Sequence, residues 1–266
     1  MLAKEDEVQP NIVEKFVVKS QTELSHEAKA ETVVVPSLTG LILLYRQASH
    51  RTTELVEQDP DNRLLARMTR QRLPAEFIRD HALFVSGLLV SKMGGPGVNP
   101  YQPSVLFGRN AIGAAGASFK QSSGDALYRR SLYTYWKRQI PAANMRILGA
   151  DGRTACRTRR EVTNTPLQAL VLLNDPQFVE AARVLGERIM KEGGDTPEER
   201  LAFAFRLATS RTPGKAELAI LLAEFSDRLR EFQDSPDRAR DYLSGKGNHK
   251  SDPALSPAQL AAFTAT

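Results

Sequence analysis

At 266 residues, with 41% hydrophobic and 25% charged side chains, the chain is long enough to bury one large core or two small ones. It contains no run near the roughly eighteen apolar residues of a membrane-spanning helix. Its one cysteine, Cys156, excludes an internal disulfide, a CxxCH haem attachment and a cysteine-rich zinc site.

The formal charge of +5 is uneven: residues 1–44 hold four basic and seven acidic side chains, a net of −3, which leaves +8 for the remainder. Met1 to Glu14 is acidic and polar rather than basic and then apolar, so it does not read as a secretory signal. Residues 1–44 show neither helical nor strand periodicity over any length and are expected to be a poorly ordered leader, with the folded domain running over 45–266 around a core of 61–243.

From Asp61, the positions of Leu64, Leu65 and Met68 suit a short helix. Pro74 then opens a second, carrying Phe77, Ile78, Leu83, Phe84, Leu88 and Leu89, with Gly94-Gly95-Pro96 as its stop. Residues 94–124 are rich in Gly, Pro, Ser and Asn and read as a long irregular loop, a natural place to look for a ligand surface.

The C-terminal half repeats one device, a capping residue followed by proline, at Thr165-Pro166, Asp175-Pro176, Thr196-Pro197, Thr212-Pro213, Ser235-Pro236 and Ser256-Pro257. Each predicts a helix start, because the side-chain oxygen accepts an orphan amide hydrogen and proline supplies a helical φ, for about 1 kcal/mol per cap. Glu199 completes a capping box with Thr196.

Leu218, Leu221, Leu222, Phe225, Leu229 and Phe232 form one stripe that must dock on a core. Leu201 to Ala208 is apolar on more than one side, which places it inside the bundle, and 244–256 reads as a polar loop. Without alternating strand-length runs after residue 45, the fold class is mainly α, an irregular helical bundle with long Gly/Pro-rich loops.

No catalytic, metal or cofactor-binding set stands out. Asp80 beside His81, with Glu76 one turn earlier, has the residue types of acid–base chemistry, but adjacent helical residues point apart. Cys156 lies among Arg153, Arg157, Arg159 and Arg160, where positive charge favours a thiolate; no histidine is near in sequence, so a small packing residue is the better account.

Between Arg129 and Arg160 there are nine Lys or Arg against one acid, Asp151. Arg129, Arg130, Lys137, Arg138, Arg157, Arg159 and Arg160, interleaved with Tyr128, Tyr133, Tyr135 and Trp136, are the candidate anion-binding residues. Anionic polysaccharide is a candidate ligand there and nucleic acid a less favoured one, but arginines that cap helix ends or pair with carboxylates within the fold are the better account of the segment; Trp136, at helical spacing from Leu132, suits the core. Asn164 and Asn174, flanking Leu167 to Leu173, are best read as closing turns.

Several ordered stretches carry a resemblance: Tyr45-Arg46-Gln47-Ala48-Ser49, Asp61 to Arg67, Ile78-Arg79-Asp80, Ser86 to Leu89, Gly94-Gly95-Pro96, Arg130 to Tyr133 and, above all, Arg159 to Pro176. They resemble the planctomycete-specific C-terminal domain of cytochrome c-containing proteins, the PSD family or domain of unknown function 1553.

That resemblance runs from Tyr45 to about Phe263 and implies a copy truncated at both ends, with an unrelated acidic segment upstream and the last helix cut short. It further implies a periplasmic or cell-envelope setting, haem c on a separate domain with no cofactor in this chain, and the cytochrome c and other domains of the parent protein as partners. The family supplies no catalytic residues to carry over. The expected function is an accessory or binding module of unknown biochemical activity. The alternatives are part of a polysaccharide-acting enzyme whose active site needs other domains, and anion or nucleic-acid binding through 129–160.

Overall fold

The computed structural model describes residues 49, 51–69, 72–102, 120–136, 141–152, 155, 156, 158, 160, 162–244 and 247–266. The expectations for the 1–44 leader and for the centre of the 94–124 loop lie outside these residues. The described residues form nine α-helices, two short 3₁₀ turns and no β-strand, which makes the fold mainly α. The chain divides into two compact units, Met1–Arg72 and Leu73–Thr266.

In the first unit, α1 spans Thr53–Gln58 and is capped by Thr52 Oγ1, which accepts from the Leu55 amide at 3.3 Å. The helix expected around Leu64, Leu65 and Met68 is absent, and 60–68 is a series of turns with Asn62 and Leu65 both at φ 54°. Two side chains explain this. Asp59 accepts the Arg63 and Leu64 amides at 2.8 and 2.7 Å, and buried Arg67 donates to the Leu55, Asp59 and Pro60 carbonyls, so local side-chain bonds outcompete a helical ladder.

The second unit begins with α2, Ala75–Ser86. Gly87 at φ 85° terminates it, well before the expected stop at Gly94-Gly95-Pro96, because its left-handed conformation lets its N–H reach the Phe84 carbonyl. The irregular stretch that follows is held to the 3₁₀ turns Gly124–Tyr128 and Ser131–Tyr133 by two isolated β-bridges, Val90 with Arg129 and Val98 with Thr134. The short α3, Ala143–Ile147, leads on to α4, Pro166–Asn174.

Helix α5, Pro176–Glu192, is the axis of this unit and packs against α2, α4, α6 (Pro197–Thr209) and α9 (Pro257–Ala265). Helices α7 (Lys215–Asp234) and α8 (Pro236–Leu243) close the far end. Five of the six expected cap-proline starts are helix N-termini here. The exception is Thr212-Pro213: α7 starts two residues later, at Gly214-Lys215, because Glu217 accepts the Gly214 amide at 2.8 Å while pairing with Arg211.

The α7 stripe docks as expected. Phe225 and Phe232 are buried with Ile189, Leu201 and the α9 run Ala261-Ala262-Phe263, and the Phe225 and Phe263 rings stack with centroids 4.3 Å apart. Helix α6 corrects its expectation of an interior position. Only Leu201 is buried on it; Phe203 is half-buried against the edge of the Ile189, Phe225 and Phe263 cluster with the Arg188 guanidinium over its ring, and Phe205 lies under that of Arg211. Trp136 packs against the cluster built from Ala75, Met145, Leu148 and Phe178.

Candidate functional site

The most chemically dense region is a buried polar seam along one side of α5, where Gln177, Glu180, Arg183 and Glu187 recur at the three- and four-residue spacing of one helix face. In the sequence such a stripe reads as a solvated surface. Here all four are buried, because the irregular segments around 101, 127–131 and 247–252 lie over them and supply polar partners.

At one end, fully buried Arg79 of α2 donates Nε to Gln177 Oε1 at 2.7 Å, Nη1 to the Arg129 carbonyl at 2.8 Å and Nη2 to the Leu127 carbonyl at 2.8 Å. Burial pushes its pKa down to about 10, still high enough to keep the charge at neutral pH. Asp80 lies 3.7 Å from Arg79 and accepts the Ser131 amide at 2.7 Å.

At the centre, Glu180 is fully buried; its Oε1 accepts from the Tyr128 hydroxyl at 2.8 Å and from the His249 amide at 2.7 Å. The Tyr101 hydroxyl accepts the Asn248 amide at 2.9 Å. Burial, reinforced by the Glu180 carboxylate, pushes Tyr101 up to about 12, and burial with the bond to Glu180 raises Tyr128 further still, so both phenols stay protonated and serve as donors rather than bases.

Gly247, at φ 95°, lays its main chain against the same carboxylate: a Cβ there would sit 2.2 Å from the Glu180 carboxyl carbon. Arg183 anchors the loop by donating to Ser251 Oγ and the His249 carbonyl, and His249 Nδ1 stands 3.9 Å from Glu187 Oε1. Glu180 Oε2 and Glu187 Oε1 have no hydrogen-bond partner among the described residues. The close approach at Gly247 leaves no room over Glu180 for a substrate atom, so this arrangement clamps a loop onto α5.

The candidate anion-binding residues distribute as follows. Arg129 is buried, donates to the Lys92, Gly94 and Pro96 carbonyls and stacks on Tyr133 with 3.8 Å to the ring centroid. Arg130 lies 3.8 Å from Asp80, and Arg160 pairs with Glu76 at 2.7 Å and Asp151 at 3.3 Å. Lys137, Arg138, Arg157 and Arg159 lie outside the described residues.

Asp80, His81 and Glu76 are not brought together. Exposed His81 has Nε2 3.0 Å from the Ala208 carbonyl, while Glu76 is engaged by Arg160. Cys156 is exposed, and Asn174 donates to the Leu170 carbonyl at 2.9 Å. The described residues contain no group of three His, Cys, Asp or Glu placed to hold a metal ion. The first unit has a shallow depression of about 200 Å³ lined by Asp61, Arg67 and Met68 among others, where Arg67 is already committed to main-chain carbonyls.

One feature faces outward. Helix α4 buries only Gln168, whose Oε1 accepts the Thr165 amide at 3.1 Å and whose Nε2 donates to the Ile147 carbonyl at 2.9 Å. Leu167, Leu170, Leu172 and Leu173 are exposed, as is Val162 just before the helix.

An all-α module, knitted internally by buried guanidinium and carboxylate groups and showing an uncharged apolar helix on its surface, is the class of protein that this fold defines. The chain belongs to the PSD1 family, described as a protein of unknown function (DUF1553), whose model matches residues 34–225. No curated protein and no solved structure matches it. No helix among the described residues is long and apolar enough to cross a membrane.

Proposed function

We propose that this chain is an accessory binding module with no catalytic centre of its own, which works through apolar contact along the outward side of α4. One contrast carries the reading: the charged groups of the α5 seam are spent on internal bonds, while a helix without a charged residue stands in solvent. Apolar patches of that kind mark contact sites on soluble proteins. The resemblance to planctomycete cytochrome c-linked proteins supports a place in the periplasm or cell envelope beside a domain that carries haem c, with the other domains of that protein as neighbours.

The test is the accessibility of α4 at high dilution. A Leu173→Cys substitution in a Cys156→Ser background is expected to react with a maleimide as fast as an unstructured peptide thiol at submicromolar protein. A protected thiol at that dilution would refute the contact-surface reading. Release of soluble products from anionic polysaccharides by the purified chain would refute the absence of a catalytic centre.

A further inference from the structure

Between α8 and α9 the chain crosses back over α5, and polar side chains hold residues 248–252 there. The Asn248 amide donates to the Tyr101 hydroxyl at 2.9 Å and the His249 amide to Glu180 Oε1 at 2.7 Å. Arg183 donates to the His249 carbonyl and to Ser251 Oγ, and Lys191 Nζ lies 2.7 Å from Asp252 Oδ2.

One pair in this strap is incomplete. His249 Nδ1 and Glu187 Oε1 face each other at 3.9 Å, beyond hydrogen-bond reach. Both atoms are closed off from water, and neither has a hydrogen-bond partner among the described residues. Buried polar atoms in folded proteins are nearly always paired, so two orphans that face each other call for an account. A neutral ring with its lone pair at Nδ1 sets acceptor against acceptor. A proton at Nδ1 makes the pair donor and carboxylate, and the charge of an imidazolium makes that bond the stronger, charge-assisted kind.

We infer that this pair is a proton-operated latch: protonation of His249 draws its ring onto Glu187 and tightens the strap on α5, and loss of the proton slackens it.

The neighbouring charges favour that direction. Facing the strap are Glu180, Arg183, Glu187 and Lys191 of α5, the strap's own Lys250 and Asp252, and Tyr101 and Tyr128, which stay protonated and add no charge. The cations are spent elsewhere: Arg183 on the His249 carbonyl and Ser251, Lys191 on Asp252, while Lys250 is exposed. The glutamates are not, since Glu180 Oε2 and Glu187 Oε1 are both left over. Among the described residues His249 alone is placed to bring Glu187 a further positive charge. Closing 3.9 Å to the usual charge-assisted length moves the ring by about 1 Å, and the ring carries with it an amide bonded to Glu180 and a carbonyl bonded to Arg183.

The test is NMR on the full chain from pH 8 to 5.5, an interval that covers the charge change of histidine and lies above that of carboxylates. The His249 ring nitrogens are followed together with exchange at the Asn248 and His249 amides, corrected for intrinsic base catalysis. As the ring takes up its proton, protection of both amides is expected to rise about fivefold, the margin of a charged over a neutral hydrogen bond. Its midpoint should coincide with that of the His249 ring and not with those of His26, His50 or His81. Glu187→Gln, whose amide oxygen accepts without charge, should hold protection at the pH 8 level throughout, and His249→Gln should do the same.

A ring that stays neutral down to pH 5.5 would overturn the latch, as would flat protection while the ring titrates or a slope that survives in Glu187→Gln. Should either variant fail to fold, the two wild-type midpoints decide alone: coincidence supports the latch and separation refutes it.

Discussion

The strongest local commitments of this molecule are made by single side chains that replace regular secondary structure. Arg79 gathers the Leu127 and Arg129 carbonyls, Ser131 Oγ and Gln177 Oε1 around one buried guanidinium, so a segment with no ladder of its own still has its main chain satisfied. Removing it leaves several buried acceptors without donors. Arg79→Ala is therefore expected to cost about 3–5 kcal/mol, the range for breaking a buried charged network, and Arg79→Lys roughly half of that because an ammonium cannot span the same fork of acceptors. Urea denaturation midpoints of the two variants measure this, and equal, small losses would show that the segment holds without the fork. The network was not legible in the sequence, where Arg79 stands only as part of the Ile78-Arg79-Asp80 stretch that carries the family resemblance. The acceptors come from residues 48 to 98 positions away, and only the fold brings them within reach. The same holds for Glu180, Arg183 and Glu187, whose helical spacing marks a polar face but cannot say that a loop after α8 returns to cover it.

Helix starts were legible because their physics is local. A cap and a proline act within one turn, and Thr165, Asp175, Thr196, Ser235 and Ser256 all stand at helix N-termini; the expected side-chain oxygen bond forms at Asp175 and Thr196, whereas the Ser235 and Ser256 hydroxyls accept none and the proline alone marks those two starts. Where another local side chain competed for the same main chain, as Glu217 did at Gly214 and Asp59 and Arg67 did over 60–68, the helix started later or did not form. The α6 box has a pH dependence with a definite sign. The Thr196 and Asp195 amides, both donating to Glu199 Oε2, hold the Glu199 carboxyl below its usual 4.5. A carboxyl with a lowered folded value contributes stability that is fully present above the unfolded value and is lost as pH falls through the folded one. Amide hydrogen exchange at Asp195 and Thr196 should accordingly show protection at pH 6 that fades below about 4.5. In Glu199→Gln the same amides should be less protected and insensitive to pH over that interval; a wild-type profile that stays flat to pH 3 would remove Glu199 from this role. Asp175 works in the opposite direction, since burial raises its carboxyl even as it caps the Gln177 amide, so the acid response of the whole protein understates that of the α6 box.

Across the second unit, the apolar core extends past the span that the family model matches. The match ends at Phe225, yet the cluster that buries Phe225 is completed by Phe232, Ala239 and the Leu260-Ala261-Ala262-Phe263 run of α9. Helix α9 packs on α5, α7 and α8, and Gly186 of α5 leaves only 3.1 Å between a would-be Cβ and Leu260 Cδ1, a closeness that glycine makes possible between the two helices. Each large apolar side chain buried there is worth about 1.5–3 kcal/mol, against a total stability for a domain of roughly 5–15 kcal/mol. Deleting 256–266 withdraws Leu260 and Phe263 together and opens Ile189, Phe225 and Phe232 to water, a loss comparable with the whole margin. The shortened chain is expected to keep helical circular dichroism, lose its cooperative urea transition and bind a hydrophobic dye, while Leu173→Glu on the outward side of α4 should leave the transition within about 0.5 kcal/mol of wild type because the substituted side chain is already in solvent. A cooperative transition surviving the deletion would mean that α5, α6 and α7 close a core by themselves and that α9 is an addition to a fold already complete at the boundary of the family match.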